Sequence, residues 1–398
     1  MRILKDSFIY MFGELLSKSL PFLMLPYLTR KLGPEGFGEL SLYLVWLSLL
    51  GILIGLSQEG AISRYYYFYG KRFLKGVYLS GYLYSSVVSS VLLVISWICN
   101  SEIMAYLIIT SMFASMLNVQ LSLRQCQKEA KKYVSIQLLY SFFTVVFTVI
   151  VLEYIAYDLV EGRVVSILFA NLVAFSLSYA LAAKSSLQIQ GIGLTPLKLK
   201  LSLTYVLSFG MPLVFHHLSI FAKGQLDRLF IYDVYSASEL GVYSAAVQIA
   251  AVVPVVLMAL NKAVVPYYYE SLKNNKITLA KIKKITLLSL PLVFIPVIVA
   301  YLLPQALYTL ILGSGYEEAK YFTVLYVLGF MLNLPYFIIV NYYFYIGKTA
   351  QISKNNIISA VIYIIILYVT LGFGIEYVPF ALIFSNLFLI LILVKVAR

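Results

Sequence analysis

Cysteine and histidine are almost absent: the 398 residues hold two of each. Cys99 and Cys126 fall at opposite ends of neighbouring hydrophobic spans, so a bilayer would separate them and they are not expected to pair. His216 and His217 are adjacent, and adjacent positions diverge on a helix. No two-ligand metal site is expected there, and no cofactor is implied elsewhere. Charge is also scarce, at 12% of residues against 62% hydrophobic. A soluble domain of this length could not bury so much apolar surface. Long outer loops are missing, and with them any obvious paired-carboxylate or nucleophile arrangement. A nucleotide-binding loop is missing too. GPEGFG at Gly33–Gly38 is glycine-rich, but it joins two hydrophobic spans and follows no strand. Gly347-Lys348-Thr349 has the ending of a Walker motif, yet Tyr342 stands where its first glycine belongs.

What the chain does contain is twelve hydrophobic spans of about 20 residues, the length that crosses a bilayer core. They run Phe8–Thr29, Gly38–Gln58, Val77–Cys99, Ile103–Leu123, Tyr133–Leu152, Val164–Ala183, Tyr205–Tyr232, Leu240–Leu260, Ile285–Leu303, Tyr321–Ile346, Ile357–Phe373 and Val378–Val394. The first span lacks a small-residue cleavage site and reads as a retained helix, not a signal sequence.

The net charge of +13 is distributed by loop. Arg64, Lys71, Arg72 and Lys75 follow span two; Arg124, Lys128, Lys131 and Lys132 follow span four; five lysines from Lys273 to Lys284 follow span eight. The alternate loops carry Glu102, Glu153, Asp158, Glu161, Asp233, Glu239, Glu317, Glu318 and Glu376. This is the positive-inside pattern, and it places both termini in the cytoplasm. Arg30 and Lys31 dissent, since they fall on the outer side. The basic loops therefore report topology, and no motif for stacking on bases accompanies them. Nucleic-acid binding is not expected.

The two halves repeat. Gly38 opens an apolar run that ends in the tyrosine cluster Tyr65–Tyr67, and Gly241, 203 positions later, opens one that ends in Tyr267–Tyr269. Six spans per half makes the repeat parallel, related by an axis along the membrane normal, which is a transporter pattern. The expected fold is an all-α polytopic membrane protein of about twelve transmembrane helices, in two six-helix bundles around a central cavity. The N-terminal lobe is residues 1–184, a cytoplasmic linker 185–204, and the C-terminal lobe 205–398. Leu279–Lys284 is expected to form a short basic surface helix. Prolines inside spans, among them Pro26, Pro212, Pro254, Pro291 and Pro335, are expected to bend their helices.

Intramembrane charges mark the candidate site. Glu14 and Lys18 are spaced i,i+4 on the first span. Lys223 and Asp227 are spaced likewise on the seventh, followed by Arg228. At the repeat offset Lys223 falls within two positions of Lys18. Two cations facing one cavity suit an anionic cargo such as a diphosphate, and the carboxylates can balance them or carry a coupling ion. The bland alternative is that each pair neutralises itself and stitches helices together. Arg228 can snorkel to the interface, and Arg64, beside its tyrosines, can either meet cargo or anchor at the inner leaflet.

The run LPYLTRKLGPEGFGELSLYLVW, Leu25–Trp46, resembles the first hairpin of the polysaccharide transporter family, the Wzx-type O-antigen flippases of the MOP superfamily. Tyr235–Ala250 and Tyr345–Thr349 are similar to that family as well. The resemblance implies an undecaprenyl-diphosphate-linked oligosaccharide as cargo, moved from the inner to the outer leaflet of the bacterial cytoplasmic membrane by alternating access, with or without a coupling ion. It implies membrane lipids, a polysaccharide polymerase and chain-length proteins as partners. Glu14, Lys18, Arg64, Lys223, Asp227 and Arg228 are the candidate cavity residues. Two other readings compete: a multidrug exporter of organic cations, and a polytopic O-antigen polymerase-type enzyme.

Overall fold

A computed structural model describes residues 9, 12–13, 15–17, 19–20, 22–71, 73–184 and 195–396. Among these the regular structure is helical throughout. In chain order the helices are α1 (Leu25–Gly55), α2 (Gln58–Phe68), α3 (Leu74–Ile98), α4 (Glu102–Cys126), α5 (Ala130–Tyr154), α6 (Leu159–Lys184), α7 (Pro196–Val234) and α8 (Ala237–Ala250). There follow α9 (Val252–Lys273), α10 (Leu279–Leu288), α11 (Phe294–Leu302), α12 (Gln305–Leu312), α13 (Ala319–Met331), α14 (Asn333–Tyr345), α15 (Thr349–Leu371) and α16 (Pro379–Val396). Among the described residues, eleven helical stretches are long and apolar enough to cross a membrane, and they coincide with the expected spans two to twelve. The protein is a polytopic helical membrane protein.

Local chemistry explains where the helices start and break. Ser236 and Glu239 form a capping box at α8: the Ser236 Oγ accepts from the Glu239 amide at 3.1 Å, and the Glu239 carboxylate accepts from the Ser236 amide at 3.0 Å. The Asp158 carboxylate accepts from the Val160 and Glu161 amides and so caps α6. α7 begins at Pro196, inside the segment read as linker, because proline at the first helical position loses no needed hydrogen bond. Pro291 opens a single 3₁₀ turn that separates α10 from α11. The expected basic helix is α10, begun by Thr278, whose Oγ1 accepts from the Lys281 amide.

Span two breaks directly after Gly55, at two residues that are neither proline nor glycine. Leu56 and Ser57 both take left-handed backbone angles, φ 45° and 50°, a conformation that costs about 1 kcal/mol or more per residue. Polar side chains repair the carbonyls freed there, as a membrane interior demands. Ser85 donates to the Ile54 carbonyl at 2.9 Å, and Tyr84 to that of Leu53 at 3.0 Å.

The chain divides into two compact units, Met1–Leu25 with Leu42–Leu218, and Pro26–Ser41 with Ser219–Arg398. The first packs around Leu56, Ile62, Val77, Met116, Val119 and Val206. The second packs around Ile282, Ile339, Tyr343, Ile352, Leu389 and Leu393. The early segment Pro26–Ser41 belongs to the second unit, and the repeat explains its seat. A Cβ on Gly38 would lie 1.8 Å from the Ala237 carbonyl oxygen; a Cβ on Gly241 would lie 1.8 Å from that of Pro34. Each repeat-related glycine thus meets the carbonyl four residues before the other. The Tyr316 hydroxyl donates to the Thr29 carbonyl at 3.3 Å. The Arg30 guanidinium donates to the Leu310 carbonyl in the last turn of α12, where the helix dipole favours a cation. That contact gives the dissenting outer charge a physical reason.

Candidate functional site

Lys223 sits on α7, 11 residues before Val234. At 1.5 Å per residue that is about 16 Å from the helix end, near the middle of a ~30 Å hydrocarbon core. Its ammonium donates to Asn386 Oδ1 of α16 at 2.8 Å and to Ser359 Oγ of α15 at 3.0 Å. Each acceptor is itself fixed: Asn386 Nδ2 donates to the Gly329 carbonyl at 3.1 Å, and Ser359 Oγ donates to that of Ser385 at 2.8 Å. Three helices, α13, α15 and α16, thereby hold one half-buried ammonium in place with neutral groups alone. Among the described residues it forms no ion pair.

Asp227, one turn further along α7, is buried and faces other partners. Tyr326 of α13 donates to Asp227 Oδ2 at 2.8 Å, and Tyr243 of α8 donates to the same oxygen. The Arg228 amide donates to Oδ1 at 3.0 Å. The expected i,i+4 pair of Lys223 and Asp227 is therefore not formed. Spacing brings two side chains to one stripe of a helix, but each finds better-placed partners on neighbouring helices. Burial of the carboxylate is made tolerable by its donors. The small residues Gly241, Ala245 and Ala246 leave room for α8 to pack closely, and all three are buried.

The remaining candidates separate. Glu14 and Lys18 lie outside the described residues. Arg64 of α2 is exposed, and its guanidinium stacks over Phe68 and Phe209 at 5.9 and 5.7 Å from the ring centroids. That is an aromatic anchor within the first unit. Arg228 is half-buried, and among the described residues its Nε has no hydrogen-bond partner.

One cation, Arg163, escaped the sequence reading, and another, Arg124, reads there only as a loop charge. Arg163 of α6 is buried and donates to Thr148 Oγ1 of α5. Arg124, at the end of α4, is 2% exposed and pairs with Glu129 at 3.2 Å, which also pairs with Lys132 at 2.7 Å. Both lie beside loops whose charges read as topology signals. Tyr243, Tyr326, Ser359 and Asn386 left no signal either, because uncharged polar residues are ordinary in apolar helices. Among the described residues no group of three His, Cys, Asp or Glu side chains is arranged to hold a metal.

The solved structures agree on the fold. The chain is similar to an inward-facing multidrug-resistance MATE transporter of the MOP superfamily, with a TM-score of 0.69 at 13% identity, covering 94% of this chain and 96% of that one. It is similar to the Vibrio cholerae MATE transporter VcmN in a mutant form, with a TM-score of 0.65 at 14% identity over 98% and 94% of the two chains. An outward-facing MATE transporter gives 0.63 at 16% identity over 99% and 94%. At such identities the likeness concerns the fold alone, a MOP-type transporter fold.

Sequence relatives narrow the family. The model of the polysaccharide biosynthesis protein family matches residues 3–272, and the chain belongs to that family. An Lsg-locus protein of Haemophilus influenzae is 46% identical over 99% of this chain and 97% of its own length. A second membrane protein of the same organism is 41% identical over 100% and 98%.

Proposed function

We propose that this protein is a flippase that moves a polyprenyl-diphosphate-linked oligosaccharide from the inner to the outer leaflet of the bacterial cytoplasmic membrane. The observation that carries this reading is Lys223. It is a half-buried ammonium held by Asn386 and Ser359, and among the described residues it has no carboxylate partner. A cation in low dielectric without a counter-charge is costly, and an arriving anion relieves that cost. Membership in a polysaccharide biosynthesis family supplies the glycan. A diphosphate joined to a polyprenol supplies the anion. Lys18, the expected counterpart in the first half, is proposed as a second contact.

Asp227 fits a different task. Two tyrosine hydroxyls point at one of its oxygens, so it is screened from cargo and ties α7 to α8 and α13. The organic-cation exporter reading rests on fold likeness alone and would need an accessible carboxylate near mid-membrane. Asp227 is engaged and buried.

Binding tests the cargo assignment. Undecaprenyl diphosphate should bind the purified protein, and Lys223→Met should weaken it by about tenfold, the loss expected for one charge-assisted contact. Equal affinity in the variant would remove Lys223 from the site. Tighter binding of an organic cation than of the diphosphate would favour the exporter reading.

A further inference from the structure

A groove of about 690 Å³ lies at the end of the second unit that the charge pattern assigns to the outer face. Its rim brings together acids from separate outer loops, Glu317, Glu318 and Glu376, with a single base, Lys320. A second cavity of about 270 Å³ shares Glu317 and Glu318 and adds Glu239. The acids are distributed, not clustered on one metal-like centre.

The charges in this groove are not used on one another. Among the described residues Lys320 forms no ion pair; its ammonium rests 5.4 Å from the centroid of the Tyr301 ring. The Glu317 carboxylate is occupied by the Gly315 amide at 3.1 Å. Glu318 and Glu376 are exposed. Tyr321 donates to the Glu376 carbonyl at 3.2 Å and fixes that loop against α13. The local field is negative: burial first, and then the Glu376 and Glu239 carboxylates, push the neighbouring Tyr235 hydroxyl above its ordinary range.

Below the rim the lining turns apolar. Val324 and Leu325 line the same groove, and Leu325 lies five residues, about 7 Å, deeper along α13 than Lys320. Beside the groove α11 presents Ile295, Ile298, Val299 and Leu302 as an exposed apolar face. Such a face in this position borders lipid tails.

We propose that this groove binds a zwitterionic phospholipid of the outer leaflet, one whose head carries a primary ammonium next to a phosphodiester. The ammonium meets Glu318 and Glu376, whose free oxygens match its three N–H donors. The phosphodiester meets Lys320, and the upper acyl chain lies on Val324 and Leu325. Three acids against one base disfavour an anionic lipid head, and they also disfavour the diphosphate of a lipid-linked cargo. A choline head is disfavoured because Lys320 already occupies the Tyr301 face that a quaternary ammonium would use.

Native mass spectrometry of the full chain tests this directly. The protein is released from micelles containing equal amounts of palmitoyl-oleoyl phosphatidylethanolamine, phosphatidylglycerol and phosphatidylcholine. Phosphatidylethanolamine should be retained over both others. Glu318→Gln with Glu376→Gln should lower its occupancy by about tenfold, as loss of the charge contacts implies, while Lys320→Arg keeps it. Equal retention of the three lipids by the wild-type protein would overturn the proposal, whatever the variants do. Unchanged occupancy in the double variant would overturn it too. Displacement by free phosphoethanolamine at equal concentration would mean a soluble ligand, and displacement by a soluble oligosaccharide would mean a glycan site. Either result rules out the lipid.

Discussion

Lys223 and Asp227 stand one helical turn apart and do opposite things with their charge. Lys223 holds its ammonium on two neutral oxygens, those of Asn386 and Ser359. Asp227 places its carboxylate under two tyrosine hydroxyls. Lys223→Met should therefore abolish transport at normal protein abundance, and Lys223→Arg should retain part of it; flux per folded protein is the measurement. Tyr243→Phe leaves a buried carboxylate one donor short. It should lower stability by about 1–3 kcal/mol, seen as a lower midpoint in thermal unfolding. Asn386→Leu should weaken diphosphate binding, because it frees the Lys223 ammonium from its fixed position, and should also lower stability by about 1–3 kcal/mol, because the Gly329 carbonyl loses its donor. The charges were legible from sequence because a charge inside an apolar run is rare. Their partners were not. An i,i+4 spacing shows which stripe of the helix two residues share, and not which neighbouring helix each one meets.

At the scale of elements, the helix crossing at Gly38 and Gly241 is the sharpest constraint. Each glycine admits a backbone carbonyl where a side chain would stand, so even alanine forces the helices apart. Gly38→Ala and Gly241→Ala should each cost about 3 kcal/mol or more, since backbone cannot repack as a side chain can. Gly51→Ala, with open space at the same atom, should be neutral or slightly stabilising. Thermal unfolding in detergent compares the three. The equivalence of the two glycines was visible in sequence as a repeat; that the repeats meet at those glycines was not, because a repeat fixes correspondence and leaves contact open. The break at Leu56–Ser57 was equally hidden. Its two left-handed residues are neither proline nor glycine, and the side chains that repair it, Ser85 and Tyr84, lie on another helix.

For the whole molecule, hydropathy and charge located spans two to twelve, because crossing a bilayer imposes length, composition and loop charge at once; several helices run well past the expected ends, as Leu25–Phe68 and Ala237–Lys273 do, since a helix need not stop where the apolar run does. The cargo is less legible, since it depends on a few polar groups and on lipid and sugar chemistry outside the chain. Sidedness has a simple check. Cys99, exposed beyond the end of α3, should react with an impermeant maleimide on intact cells, whereas Cys126 is buried. In a Cys99→Ser background, Asn275→Cys, exposed after α9, should react only after the membrane is opened. The reverse pattern would invert the topology and place the acidic groove of the second unit in the cytoplasm.

The most direct test of the central claim is translocation by the purified protein in proteoliposomes. A polyprenyl-diphosphate oligosaccharide is loaded on one leaflet, and glycan accessibility is followed on the other. Movement above empty vesicles, lost in Lys223→Met and kept in part by Lys223→Arg, is the predicted result. Folded protein that moves no such lipid under an imposed proton or sodium gradient, or a Lys223→Met variant that moves it at the wild-type rate, would contradict the account.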